Sequence, residues 1–173
     1  MVYEQDAGQL TPEQLKRLFP HFTGEIQQIP PMTSAVRHQG TKLYQLARKG
    51  IEVERMPRQV TIHNLELVSW KKEQDQPVAL LDVSCSAGTY IRTLCTDMGD
   101  ALGCGAYMRF LLRTKAGSFG IQDAYTLEEI LAKSREDILA GMLMPIERVL
   151  AHFPMVMVKE SAIRSVAVSY THL

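Results

Sequence analysis

Ser84-Cys85-Ser86-Ala87-Gly88-Thr89-Tyr90-Ile91-Arg92-Thr93 is the stretch on which the reading of this chain turns. Ahead of it, Val78 to Val83 forms an apolar run of buried-strand length. Behind it, Ile91, Leu94, Cys95, Met98 and Leu102 recur at spacings of three and four, which predicts a helix over 91–102 with one apolar face. Gly103 follows where a helix C-cap favours a residue that tolerates positive φ. Gly88 then falls in a strand-to-helix turn, with Tyr90 and Arg92 at the mouth of the helix. Open α/β folds place their chemistry at such strand ends. On periodicity alone, a Tyr and an Arg there are a packed ring and a solvated charge.

The longer string alters that balance. Gly88-Thr89-Tyr90-Ile91-Arg92-Thr93-Leu94, followed by Asp97-Met98-Gly99 and Leu102-Gly103-Cys104-Gly105-Ala106, closely resembles the C-terminal catalytic motif of the TruB-type tRNA pseudouridine synthases. The resemblance implies an α/β (α+β) fold: a mixed, largely antiparallel sheet flanked by helices. It makes residues 1–160 part of a catalytic domain, 35–58 a basic, RNA-contacting helical insertion and 161–173 an unmatched tail. The implied activity is isomerisation of uridine 55 in the tRNA T loop, and the implied partner is the T-arm stem-loop, with no protein partner. A related class, the guide-RNA-dependent synthases, shares Gly-Thr-Tyr-Ile-Arg-Thr-Leu. The segment from Arg37-His38-Gln39-Gly40 to Gly50 favours the stand-alone tRNA enzyme.

Pseudouridine formation breaks a glycosidic C–N bond, turns the base and joins its C5 to the sugar. The uridine must leave its stack, a carboxylate must start the reaction, and some group must take the C5 proton. No redox cofactor and no metal are implied, and the sequence has neither a phosphate-cradling glycine loop nor a metal-ligand cluster. By resemblance, Tyr90 contacts the flipped base and is placed to receive the C5 proton. A tyrosine is a weak base near neutrality and needs a neighbouring charge to help. Arg92 matches the arginine that pairs with the catalytic aspartate, where its planar fork suits a carboxylate. Leu111 matches the apolar residue lining the base pocket, although the residues alone make it ordinary core.

The family carries its nucleophilic aspartate in a Gly-Thr-Leu-Asp-Pro stretch, and none of the 173 residues here forms one. Asp6, Asp75, Asp82, Asp97, Asp100, Asp123 and Asp137 stand in unmatched contexts. The expectation is a chain inactive by itself, its Arg92 turned toward solvent for want of a carboxylate.

The formal net charge is zero, which argues against a uniformly basic nucleic-acid binder, but the charges are unevenly placed. From Arg37 to Arg58, Arg37, Lys42, Arg48, Lys49, Arg55 and Arg58 face only Glu52 and Glu54. Such a patch is either a solvated helix face or a phosphate-binding surface. The resemblance favours the second and gives substrate contacts to Arg37, His38, Lys42, Tyr44, Arg48 and Lys49. His38 reads as a surface histidine suited to phosphate contact and not as a catalytic base. Thr33 occupies a position where many family members carry an aromatic residue.

No apolar run is long enough to cross a membrane, and Met1-Val2-Tyr3-Glu4-Gln5-Asp6 lacks the regions of a signal peptide, so the expected compartment is the cytoplasm. Cys85, Cys95 and Cys104 form no CxxC pair and read as small apolar side chains in a reducing compartment.

Along the chain, residues 1–9 read as loop. Thr11-Pro12-Glu13-Gln14 is a capping box opening a helix that Pro20 is expected to end. Ile29-Pro30-Pro31-Met32 is an edge or a connecting arm. Thr41 caps a helix over 42–49. Residues 59–70 and 78–86 form an antiparallel hairpin with a bulge near Asn64 and a polar turn over 71–76. An alternating strand is expected over 106–114, a turn over 117–120, a second capping box at Thr126-Leu127-Glu128-Glu129, and a short helix after Ser134.

Overall fold

The computed structural model describes residues 7–74 and 76–167, and the chain divides into two compact units after Leu111. The first unit begins with α1, Pro12–Phe22. Thr11 Oγ1 accepts the Gln14 amide at 3.3 Å, and Gln14 Oε1 accepts the Thr11 amide at 2.9 Å, so the capping box closes as expected. Pro20 does not end the helix. It stands in the last turn, where its ring removes one amide bond shortly before the helix stops anyway. Phe19 and Phe22 pack against the core on either side of it, and Thr23 Oγ1 donates to Phe19 O at 2.8 Å.

β1, Gly24–Gln28, is an edge strand antiparallel to the longer strand described below. The proline pair after it lies outside any strand, as expected of a connecting arm. β2, Arg37–His38, and β3, Thr41–Lys42, form a small hairpin whose turn places Gln39 at φ 48° and Gly40 at φ 84°. Two consecutive positive-φ residues are what a tight two-residue hairpin needs. α2, Leu43–Arg48, starts without a side-chain cap, because Thr41 is engaged in β3 instead of capping it. Leu43 anchors this helix at 1% exposure.

β4, Arg58–Glu73, and β5, Gln76–Cys85, complete a three-stranded antiparallel sheet in the order β1-β4-β5. The strands outrun the polar turn expected over 71–76, since Glu73 and Gln76 still pair as the last rung; Asp75 itself lies outside the described residues. The register slips between Ile62 and Asn64, at the expected bulge, and again between Leu67 and Ser69. Each slip inserts one residue into a period of two. That is why Val60 and Ile62, then Leu65 and Leu67, then Trp70 share the covered face despite their uneven spacing.

α3, Ile91–Leu102, has the expected bounds and ends on Gly103 at φ 74°. Its apolar face meets the sheet and α1: Leu15, Ile62, Leu65, Leu94 and Met98 form the buried cluster, with Ile26, Leu81, Val83 and Ile91 around it. Past the cap the chain folds tightly back. Gly99 O accepts the amides of Cys104 at 3.2 Å and Gly105 at 3.0 Å. Residues 105–114 form no ladder, contrary to the expected strand over 106–114. Alternation of apolar residues favours extended backbone, but a strand requires a partner, and no described segment pairs with this one. Tyr107 and Phe110 accordingly stand 82% and 72% exposed.

The second unit is built from short pieces. β6, Lys115–Ala116, and β7, Phe119–Gly120, pair with each other and narrow the turn expected over 117–120 to Gly117 and Ser118. α4, Leu127–Leu131, opens on the Thr126 capping box, and α5, Arg135–Gly141, opens on Ser134. α6, Ile146–Val149, and α7, Ile163–Ala167, follow. Arg148 pairs with Asp123 at 3.5 Å, and the Tyr125 hydroxyl donates to Gly141 O at 3.4 Å. No helix among the described residues is long and apolar enough to cross a membrane.

The turn after α3 generates a test. A Cβ on Gly99 would stand 2.1 Å from the Ala106 amide nitrogen and 2.3 Å from the Gly105 carbonyl carbon. Gly99→Ala should therefore destabilise the fold by about 1–3 kcal/mol through overpacking. The measurement is urea denaturation, with the midpoint lowered and the slope unchanged. An unaltered midpoint would mean that the turn relaxes freely.

Candidate active site and nucleic-acid interface

The strand-to-helix turn is held by short polar side chains. β5 ends at Cys85, and Ser86 continues the ladder: its amide donates to Thr61 O at 2.8 Å and its Oγ accepts the Thr61 amide at 2.9 Å. Thr89 Oγ1 donates back to Ser86 O at 2.9 Å. Gly88 takes φ 86° between them, a conformation that disfavours any Cβ. Tyr90 then occupies the N-cap of α3 in an extended conformation with no side-chain cap of its own. It is half-buried, and Arg92, one position past the first helical residue, is exposed.

The arm between β1 and β2 closes on this mouth. The Gln28 amide grips the Tyr90 backbone on both sides, accepting its N–H at 3.0 Å and donating to its carbonyl at 3.3 Å. Five residues further along, Thr33 Oγ1 accepts a hydrogen bond from Arg92 Nη1. On the other flank Arg55 donates to Pro30 O at 3.2 Å and pairs with Glu52 at 3.2 Å. Tyr90 and Arg92 are thus gathered at one place, against one arm.

The basic residues make a second grouping. Arg37 and Lys42 are directly opposed across β2 and β3, as are His38 and Thr41. Like charges opposed in this way repel. The Tyr44 ring has Lys42 Nζ at 5.7 Å and the Arg48 guanidinium carbon at 5.3 Å from its centre. Two backbone bonds, Leu43 N to Val36 O at 2.8 Å and Tyr44 N to Ser34 O at 3.0 Å, fasten the hairpin to the start of α2. Among the described residues, no carboxylate stands within ion-pairing distance of Arg37, Lys42, Arg48 or Lys49.

Leu111 belongs to neither grouping. It is 52% exposed on the irregular stretch after α3, which an ion pair from Arg109 to Glu73 fastens to the end of β4. Hydrogen bonds from Lys71 and Arg109 lower the Glu73 carboxyl from its ordinary 4.5 to about 2, with burial opposing them weakly. In α3, burial and the neighbouring Asp100 push Asp97 up, and burial raises the Cys95 thiol. Cys85, Cys95 and Cys104 are all free. No group of three potential metal ligands occurs among the described residues.

The motif around Tyr90 includes neither Gln28 nor the hydrogen bond that Arg92 donates to Thr33. A signal for Gln28 existed. It shares strand parity with Ile26, which predicts that it points inward, and a polar residue at an inward position calls for a partner.

Two family models match the chain. Residues 1–91 match the N-terminal domain of TruB family pseudouridylate synthases, and residues 92–151 match the C-terminal domain of tRNA pseudouridylate synthase B. The chain is 47% identical over 167 residues to tRNA pseudouridine synthase B of Pelotomaculum thermopropionicum, covering 95% of this chain and 52% of that protein. It is 52% identical over 146 residues to the protein of that name from Moorella thermoacetica, covering 84% of this chain and 48% of the relative. The chain thus spans about half the length of these relatives. Among solved structures, a chain of a Cbf5-Nop10-Gar1 complex superposes with a TM-score of 0.70 at 26% identity, covering 96% of this chain and 46% of its own. A chain of an H/ACA RNP bound to a substrate RNA containing 2′-deoxyuridine shares the fold, with a TM-score of 0.63 at 24% identity over 93% of this chain and 44% of its own. The family matches and the architecture define a single class of protein, the pseudouridylate synthases. Within that class, the chain belongs to the TruB family.

The Glu73 clamp predicts an acid limb. A carboxyl whose folded pKa is depressed stabilises the fold fully above its unfolded value, and the contribution is lost as pH falls through the folded one. The window therefore runs from about pH 4.5 down to about 2. Denaturation midpoints followed across that range should fall less steeply in Glu73→Gln than in the parent. Parallel curves would show that the ion pair does not form in solution.

Proposed function

We propose that this chain is the RNA-docking and base-binding part of a tRNA pseudouridine synthase that converts uridine 55 of the T loop to pseudouridine. Membership of the TruB family, over both matched domains, is the observation that carries this reading. The geometry supports it from two sides. The mouth of α3 presents a phenol and a guanidinium together, and the hairpin with α2 presents cations that no described carboxylate neutralises. The second feature suits phosphates, which supply sequence-independent affinity. The first suits a single extruded base, which supplies the chemistry.

In this reading Arg37, His38, Lys42, Tyr44, Arg48 and Lys49 hold the T-arm stem-loop. Tyr90 lies against the flipped uracil, and after the base has turned and C5 has bonded to the sugar its oxygen accepts the C5 proton as its own O–H proton passes to solvent. Arg92 exchanges its bond to Thr33 for one to the carboxylate that opens the glycosidic bond. Leu111 closes the apolar side of the base pocket. Residues 1–160 act as part of the catalytic domain, 35–58 as its RNA-contacting insertion and 161–173 as a tail. The protein works in the cytoplasm and requires neither a cofactor nor a protein partner.

Affinity for the T arm should fall steeply with salt, because cations on the protein displace counterions from the RNA. Replacing Arg48 and Lys49 with Ala should flatten the slope of log K against log salt by about one to two units. An unchanged slope removes both residues from the interface.

The decisive assay measures pseudouridine in a T-arm stem-loop, with this chain and with a version extended upstream from its gene. The expected result is no turnover by the 173-residue chain, which contains no Gly-Thr-Leu-Asp-Pro stretch, and turnover by the extended one. Tyr90→Phe in the active form should lower turnover by roughly 10²–10⁴ while leaving RNA binding intact. RNA binding without turnover in either form would favour a non-catalytic RNA-binding module derived from a synthase. Turnover by the 173-residue chain would place the nucleophile among its own aspartates.

A further inference from the structure

The Gln28 contact is unlike ordinary packing. Gln28 is 1% exposed, and a buried primary amide is stable only when its donors and acceptor find partners. It finds them on the two backbone groups of one residue, 62 positions away in sequence. Two bonds to the N–H and C=O of a single residue fix its position and also the orientation of its peptide planes, as a rung of a β-ladder does. The residue so held is Tyr90, where the chain turns from β5 into α3 and the helix has no side-chain cap of its own. The Tyr90 carbonyl still accepts the Leu94 amide at 3.0 Å, so the Gln28 donor takes its second lone pair. Among the described residues no hydrogen bond reaches the Tyr90 hydroxyl. The two bonds thus fix the peptide planes on either side of Tyr90 and with them the direction in which its Cβ leaves the chain.

The placement of Gln28 is equally constrained. It ends β1, paired with Arg58 of β4, and the buried Pro30 follows two residues later with its carbonyl held by Arg55. A side chain fixed at both ends transmits the position of the sheet edge to the mouth of α3. We propose that Gln28 is a positioning residue for Tyr90: it aims the tyrosine into the base-binding mouth and does not itself touch the RNA. The proposal rests on the reading of Tyr90 as the group that meets the base. On that reading, loss of Gln28 leaves RNA docking to the basic hairpin intact and misaligns the ring, which lowers kcat and spares KM.

Two variants test it. Gln28→Met keeps the length and loses both hydrogen bonds. Gln28→Glu keeps the acceptor for the Tyr90 amide and loses the donor to its carbonyl. Hydrogen–deuterium exchange by NMR on the full chain should show the Tyr90 amide exchanging about tenfold faster in Gln28→Met, with the amides of Ile62 and Met98 unchanged and Gln28→Glu between the two. In whichever form turns over uridine, kcat should drop in both variants at constant KM for the RNA. Unchanged exchange at Tyr90, an equal rise at Ile62 and Met98, or an unchanged kcat overturns the proposal. If Gln28→Met does not fold, the same readouts on Gln28→Glu decide. If neither this chain nor its extended form turns over uridine while Tyr90 exchange responds as stated, the fault lies with the assigned reaction and the positioning contact stands.

Discussion

The packing of Leu94 and Met98 against Ile62, Leu65 and Leu15 is the interaction on which the rest of the first unit depends. Each fully buried side chain of this kind stabilises a fold by about 1.5–3 kcal/mol. The buried cluster is small, so each member carries a large part of the net stability. It also sets geometry. Leu94 and Met98 occupy successive turns of α3, and fixing both fixes the helix axis and with it the point where the helix begins. The two bulges of β4 serve the same contact. Without them Leu65 and Leu67 would turn to the opposite face of the sheet, and the helix would meet polar side chains.

The second constraint is the proline arm. Proline has no amide hydrogen, so Pro30 can be buried without leaving a donor unsatisfied, and the arm can cross the end of the sheet without joining it. Its rigidity lets contacts at separate points act together: Gln28 on the Tyr90 backbone, Arg55 on the Pro30 carbonyl and Thr33 on the Arg92 side chain. The basic hairpin grows directly from the same arm, and the bond from Tyr44 N to Ser34 O ties α2 back to it. The basic hairpin and the mouth of α3 are therefore linked through a short, stiff stretch of backbone. The opposed Arg37 and Lys42 work against local stability, and an anion that bridges them relieves that repulsion.

What could be read in the sequence was what local chemistry decides. The Gly88 turn, α3 and its Gly103 cap, the Thr11 and Thr126 capping boxes, and the bulge near Asn64 each follow from a few neighbouring residues. The errors lie where tertiary context overrides the local rule. Pro20 is tolerated because the helix around it buries Phe19 and Phe22. Thr41 pairs in β3 instead of capping α2. Residues 106–114 alternate like a strand, but alternation specifies an extended backbone and not the partner that makes it a strand. Of the candidate site, the motif picks out Tyr90 and Arg92, which the start of α3 brings together, and charge picks out the basic hairpin. Gln28 was visible only as an inward parity, because its partner lies far along the chain.

Arg92 shows why the site is stable without a carboxylate beside it. A guanidinium keeps its charge under all ordinary conditions, and a buried one left alone would cost several kcal/mol. Arg92 is exposed, however, and Thr33 Oγ1 accepts one of its donors while water can serve the rest. An open position of this kind also limits what a carboxylate could contribute, since exposed ion pairs are worth about 0–1 kcal/mol. The pair becomes strong only when water is removed from around it. A base and its ribose seated over the mouth would do that, lowering the local dielectric at the moment the charge is needed. Thr33 then acts as a neutral holder of Arg92. It orients the guanidinium in the open site and, being uncharged, would be outcompeted by a carboxylate in a site closed to water.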